Sequence, residues 1–312
     1  MTAETSPADP EHVAAALTGT ALADRPIRTL PAIEGAPAAL SIPVAPEEAH
    51  AAWDAARALV PLTARWPVLM DEMIEPDLFT NRWWFRYEVD GPPVPRHLRP
   101  PPRVRSVDDV LAEADDLDGD QAIAAFREED DWRQPIEFEL EQTTGLVGSA
   151  PTPEAVEAAL GPESTRLGVE RLLMAWEVEH LERPIEPSYH LPSETGAQHL
   201  VLLPTAVAWQ AFAHLGFFTA EAERSGPFVA VMRMWFEQYG AELRCFFFGG
   251  TWMELVVARP PRDAEDAFGL ASQIDQVAFS SEEQIGNPRL RGVRGLAHNL
   301  IQNPTWVLSA RP

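Results

Sequence analysis

The chain of 312 residues contains no lysine, since all 24 of its basic residues are arginines, and its 48 acidic residues give a net charge of −24 at pH 7. Mechanisms that need a lysine amine, such as a Schiff base or a phosphate-binding P-loop, are therefore excluded. Duplex nucleic acid is bound through a basic face that replaces condensed counterions, and anionic lipid surfaces attract the same kind of face. We therefore expect neither nucleic acid nor a membrane as a partner.

Cysteine and long apolar runs are scarce as well. The single cysteine, Cys245, excludes an intramolecular disulfide and a zinc site built from several thiolates. Because it precedes the aromatic run Phe246–Phe248, we predict that it packs as a small hydrophobic side chain. No basic segment followed by an apolar one marks a signal peptide, and no stretch approaches the roughly 18 apolar residues of a membrane helix. These absences predict a cytoplasmic protein.

The composition is otherwise that of a folded protein, with 46% hydrophobic residues and ten tryptophans. The length suggests two domains plus tails. Residues 1–45 are rich in alanine and proline and predict a disordered or loosely docked arm. A proline-rich break separates a mainly helical α+β accessory domain at residues 46–190 from a C-terminal α+β domain at residues 196–312.

The order of elements in the C-terminal region indicates the fold class. A strand, two helices, a hairpin and a further helix follow one another, which predicts an α+β fold with helices on one face of an antiparallel sheet. Gly249-Gly250 is the hairpin signal between strands at residues 241–248 and 252–258. Earlier in the chain, a strand at residues 66–70 and helices at residues 46–60, 106–113 and 164–181 are predicted. In the last helix, one side is predicted to carry Leu167, Arg171, Met174, Val178 and Leu181, flanked by Val169, Leu172, Leu173 and Trp176.

Several short motifs lie in the last third of the chain. They include Pro227–Val231, Tyr239–Leu243, Glu254-Leu255, Arg259–Pro261 and Pro304–Trp306. On these motifs, residues 199–306 resemble a bacterial family known as domain of unknown function 4253. The resemblance implies a domain boundary and a bacterial source, but it implies no activity.

Two Glu-x-x-His pairs are candidate metal or acid–base groups, because this spacing places a carboxylate and an imidazole on one helix face. They are Glu177 with His180, and Glu47 with His50. Composition alone predicts about one such pair, so a solvated helix face is the alternative interpretation. His190 is a third candidate near Glu177 and His180. We find no phosphate loop, dinucleotide fingerprint or nucleophile elbow, and we predict no cofactor and no metal.

Two further histidines, His199 and His214, lie in the C-terminal region and are weaker candidates for a general base. His199 opens a predicted strand. His214 follows a helical apolar run, and we expect it to interact with the carboxyl end of that helix.

An arginine cluster in a proline-rich stretch is the candidate partner-binding segment. It contains Arg96, Arg99, Arg103 and Arg105. These guanidinium groups would suit bidentate bonds to carboxylates of an acidic partner. Alternatively, they pair with the chain's own surplus carboxylates on a surface loop.

The leading functional hypothesis is a non-enzymatic protein-binding module that neutralises or scaffolds a partner. A basic partner would suit the net charge by electrostatic complementarity. The alternative is a metal-assisted hydrolase with its site between the two domains, formed by Glu177, His180 and His190.

Overall fold

The computed structural model describes residues 6–30, 37–71, 106–126, 136–161, 165–183, 185, 196–215, 224–247, 251–278 and 292–309. Within these residues one sheet has the strand order β1-β2-β4-β3-β5-β6-β7. The strands are Arg28–Thr29 (β1), Leu40–Pro43 (β2), Trp66–Met70 (β3), His199–Leu203 (β4), Ala241–Phe247 (β5), Trp252–Val257 (β6) and Thr305–Ser309 (β7).

The pairing of the strands confirms the α+β class. Neighbouring strands are antiparallel except for β3 and β5, which run parallel and meet at Leu69 and Cys245. The predicted strands at residues 66–70, 241–248 and 252–258 are confirmed to within a residue, whereas Gly249 and Gly250 lie outside the described residues. All five residues of β3 are buried, so both faces of the sheet are covered at this strand.

Helices surround the sheet, and none of those described is long and apolar enough to cross a bilayer. They are Pro10–Ala16 (α1), Ala49–Ala58 (α2), Val60–Thr63 (α3), Val107–Asp115 (α4), Gly119–Ala124 (α5), Ile136–Val147 (α6), Pro153–Leu160 (α7), Arg166–His180 (α8), Ser225–Tyr239 (α9), Ala264–Ala278 (α10) and Gly292–Leu300 (α11). Two 3₁₀ segments, Pro46–Glu48 and Ala208–His214, complete the described elements.

Local signals explain where several helices begin and end. The Ser106 and Thr152 side chains accept the backbone N–H three residues ahead, which caps α4 and α7. Asp118 and Gln121 form a reciprocal capping box at α5. Gly240 ends α9 in the left-handed region at φ +66°, where a glycine avoids strain.

The described part of residues 1–45 is packed into the fold, which corrects the expectation of a disordered or loosely docked arm there. It contributes α1, β1 and β2, and Val13, Leu40 and Ile42 are buried. The buried guanidinium of Arg65 donates to the carbonyl oxygens of Ala8 (2.6 Å), Ala38 (2.8 Å) and Leu202 (3.3 Å), which ties this segment to β4. The sheet thus takes strands from all three segments proposed from the sequence, and the division at residues 46–190 and 196–312 stays a prediction.

The apolar core has two parts. The main cluster covers the sheet and joins most helices to it. The second cluster is formed by Leu140, Val156, Val169 and Leu173, all from α6, α7 and α8. We call these three helices the helical module. Met174 of α8 reaches the main cluster, and the remaining buried face of the module is polar.

Candidate functional site

A buried arginine of α11 lies where the helical module meets the rest of the protein. The side chain of Arg294 is fully buried. Its Nη1 lies 2.7 Å from Oε1 of Glu177 and 2.5 Å from Oγ1 of Thr143, and its Nη2 lies 2.8 Å from Oε2 of Glu139. Because Glu139 and Thr143 belong to α6 and Glu177 to α8, one guanidinium binds two helices of the module.

Glu177 also contacts a histidine of α11. Nε2 of His298 lies 2.9 Å from Oε2 of Glu177, and the Thr143 hydroxyl donates to Oε1 of the same carboxylate at 2.6 Å. Both carboxylate oxygens of Glu177 are therefore occupied by side chains of the protein.

A second carboxylate from α8 caps the start of α11. Oε2 of Glu170 accepts the backbone N–H of Arg294 at 2.9 Å, and its Oε1 accepts Nε of Arg166 at 2.8 Å. A negative charge at a helix N-terminus is favourable, because the first N–H groups point outwards and carry partial positive charge. Gly292 begins α11 at φ +82°, and a Cβ there would lie 2.8 Å from the Glu170 carboxylate, so the glycine permits this approach.

We call these side chains the Arg294 network: Glu139, Thr143, Arg166, Glu170, Glu177, Arg294 and His298. Their spacing within each helix is simple. Glu139 and Thr143 are four residues apart on α6, Arg294 and His298 are four apart on α11, and Glu170 and Glu177 are seven apart on α8. Each set therefore lies on one helix face.

Of this network, only Glu177 was a candidate from the sequence. The buried face of α8 is Val169, Glu170, Leu173, Met174 and Glu177, whereas Leu167 and Val178, on the side picked out by hydrophobic spacing, are 41% and 42% exposed. A hydrophobic pattern assigns glutamates to solvent, so it does not reveal that Glu170 and Glu177 are buried. On α11, the four-residue spacing of Arg294 and His298 was the one sequence signal that these two side chains share a helix face.

The pairing of Glu177 with His180 is also corrected. The His180 ring is exposed and stacks on Trp176 with 4.0 Å between ring centres, and its Nδ1 lies 2.8 Å from the Trp176 carbonyl oxygen. Glu177 points into the protein towards His298 instead. His190 and the arginine cluster (Arg96, Arg99, Arg103 and Arg105) lie outside the described residues.

Chemically, the Glu177–His298 pair has the composition of an acid–base dyad, with Arg294 beside it. No substrate can reach it in this conformation, because Glu177 and Arg294 are fully buried and His298 is 4% exposed. Across the described residues, no group of three or more histidine, cysteine, aspartate or glutamate side chains has the geometry of a metal site. The arrangement therefore joins the helical module to α11.

A second buried ion pair lies inside the sheet. Arg244 contacts Glu254, which is fully buried, and the register between β5 and β6 shifts beside Arg244. Cys245, paired with Glu254 across the strands, is also buried. Burial raises the pKa of the Cys245 thiol, and the Glu254 charge adds to that effect, so the thiol stays protonated. The prediction that Cys245 packs in the core is confirmed.

The stability of the fold is expected to depend on pH through His214. Burial, with the Arg65 charge as a second cause, lowers the pKa of His214 from 6.5 to about 4. The unfolded chain therefore binds a proton at a higher pH than the folded chain does. We expect the free energy of unfolding to be unaffected by this group well above pH 6.5 and to fall by about 3 kcal/mol as the pH is lowered to 4.

Urea titrations of the wild type and of His214→Gln across that range measure this loss. The variant is expected to show a shallower pH dependence, and His199, whose pKa burial also lowers, accounts for part of the remaining slope. Equal slopes for the two proteins would contradict the assignment to His214.

Comparisons with known proteins find a family match for one region of the chain. Residues 199–309 match the model of the family described as "Domain of unknown function (DUF4253)", which confirms the resemblance of the C-terminal third. No curated protein and no solved structure matches the chain. The matched region contains α11, with Arg294 and His298, whereas α6 and α8 lie outside it.

Proposed function

We propose that this chain is a non-catalytic interaction protein that binds a positively charged protein partner. The observation that carries the proposal is the set of groups to which the described arginine side chains bond. Most of them bond to carboxylates or carbonyl oxygens of the chain itself: Arg25, Arg57, Arg65, Arg166, Arg171, Arg233, Arg244, Arg259 and Arg294. Seven of these nine arginines, all except Arg65 and Arg259, pair with a carboxylate of the chain, so their positive charge is balanced within the protein.

Exposed carboxylates concentrate on α4, α5 and the turn between them. We call the exposed aspartates of this segment the acidic ridge: Asp108, Asp109, Asp115, Asp116, Asp118 and Asp120. Residues 106–126 contain no arginine and no histidine. Carboxylates clustered on adjacent helices create a negative potential that attracts and orients a basic surface.

The acidic ridge is held firmly by the helix beneath it. Nη1 of Arg233, on α9, lies 2.7 Å from Asp115, and its Nη2 donates to the carbonyl oxygens of Ala114 and Leu117 at 2.8 Å. Gly119 lies directly against Met234 of α9, where an added Cβ would overlap the methionine sulfur. Binding groups on fixed helices lose less conformational entropy when a partner binds. This arrangement suits either scaffolding or neutralising a partner.

Neutralising the acidic ridge tests the proposal. The tagged chain is isolated gently from its source cells, the companion protein is identified by native mass spectrometry, and the complex is rebuilt from purified proteins. The triple variant Asp108→Asn, Asp116→Asn and Asp120→Asn is expected to weaken the complex by about tenfold or more, and rising salt is expected to weaken the wild-type complex.

The matched control removes three exposed carboxylates from the helical module instead, with Glu141→Gln, Glu157→Gln and Glu179→Gln. It changes the net charge equally and is expected to leave most of the affinity. The proposal is wrong if no stoichiometric protein companion is found, or if the affinity of the complex depends neither on salt nor on the acidic ridge.

A further inference from the structure

The helical module has a hydrophobic core of its own and a polar joint to the rest of the protein. The four buried residues of its cluster, Leu140, Val156, Val169 and Leu173, all belong to α6, α7 and α8. Across the joint, Met174 is the buried apolar side chain that enters the main cluster. Hydrogen bonds and ion pairs also cross the joint, and the Arg171 guanidinium lies 5.6 Å from the centre of the Phe268 ring.

We infer that the helical module opens and closes as one unit on the folded body of the protein, with the Arg294 network as the latch that holds it shut. The two clusters supply the separate stability that such a motion needs, since each part keeps its apolar core when the joint opens. Polar interfaces between units of one chain normally allow relative motion.

The balance of charges explains why this joint opens more easily than an apolar one. The module brings Glu139, Glu170 and Glu177 to the joint, with Arg166 beside Glu170, and α11 brings Arg294 and His298. Burying these ions costs hydration that their mutual attraction only partly returns, and opening restores the hydration. At the edge of the joint, the exposed Arg171–Glu265 pair contributes little.

One donor of the latch lies buried without a bond. Nε of Arg294 has no hydrogen-bond partner among the described residues. A buried unsatisfied donor disfavours the closed state and is relieved when water reaches it. Opening therefore exposes Arg294 and His298, which belong to the region matched by the family model.

Native-state hydrogen exchange of the full chain tests this inference. Amides of α6, α7 and α8 are expected to exchange as one block at a lower denaturant concentration than the amides of α9 and β5. The amides of α9 and β5 are expected to exchange only on global unfolding. Arginine labelling with phenylglyoxal gives a second readout. Arg294 is expected to react at the rate of module opening, whereas the buried Arg65 of the body reacts only on global unfolding.

Two matched variants locate the latch. Glu177→Gln is expected to speed exchange of the module by about a hundredfold and to leave α9 and β5 unchanged, since it removes one partner of a buried ion pair at the joint. Glu254→Gln removes one partner of the buried pair inside the sheet, and it is expected to speed exchange of α9 and β5.

The inference is overturned if the wild-type module exchanges only with the slowest amides of the body, or if Glu177→Gln speeds exchange of every helix equally. The wild-type measurement decides the question even if a variant fails to fold.

Discussion

Arg294→Met is expected to lower the free energy that holds the helical module on the body by about 3–5 kcal/mol. The size of this loss follows from the charges that the variant leaves behind. Glu139 and Glu177 would be buried with no guanidinium between them, and an uncompensated buried charge is costly. Because the apolar side of α11 stays in the main cluster, the body is expected to keep its fold. Urea titration followed by far-ultraviolet circular dichroism should then show an early loss of helix that the wild type lacks.

Two control variants test that explanation. Arg57→Met breaks the exposed bidentate pair with Glu242 and is expected to cost less than about 1 kcal/mol. Adding Glu177→Leu to Arg294→Met removes a charge that the single variant leaves behind, so the double variant should lose less than the sum of the two single losses. A loss below about 1 kcal/mol for Arg294→Met alone would show that the buried pair does not hold the joint.

The strands were predictable because their signals are local. The apolar run at residues 66–70 and the glycine pair between residues 241–248 and 252–258 specify strand positions without any knowledge of the tertiary fold. Helix starts at Ser106 and Thr152 were predictable for the same reason, since a capping side chain bonds three residues ahead.

The Arg294 network was not predictable in this way, because its bonds join distant parts of the chain. Glu177 and Arg294 are 117 positions apart, and Glu139 and Arg294 are 155 apart. In α6 the residues 136–147 carry three glutamates and two adjacent threonines, and no helix was predicted there. A buried glutamate looks the same as an exposed one until its arginine is located.

The Glu-x-x-His spacing also shows that residues close in sequence need not be partners in the structure. Glu177 was singled out for His180, three residues away on α8, and its true contact is His298 on α11. Helical spacing decides which side chains share a face, whereas packing against α6 and α11 decides which of them turns inwards. His180 instead stays at the surface on Trp176.

Trp235→Ala is expected to lower the free energy of unfolding of the body by about 3–5 kcal/mol. Trp235 of α9 is fully buried and meets the Trp306 ring edge to face at 6.4 Å, and its Nε1 donates to Gln273 at 2.8 Å. Removing the indole leaves a large cavity between α9 and β7, and it also leaves the Gln273 oxygen without this donor. Thermal and urea unfolding measure the loss.

The control for this variant is Trp209→Ala, because Trp209 is only half-buried and lies under the Arg233 guanidinium rather than in the centre of the core. It is expected to cost less than half as much. If the two variants were equally destabilised, Trp235 would not be the anchor of α9. Because α9 carries Arg233 and Met234, which hold the acidic ridge, a loosened α9 should also weaken binding of the proposed basic partner, although Trp235 itself is fully buried and cannot touch that partner. Core packing beneath α9 thus sets how firmly the proposed binding surface is presented.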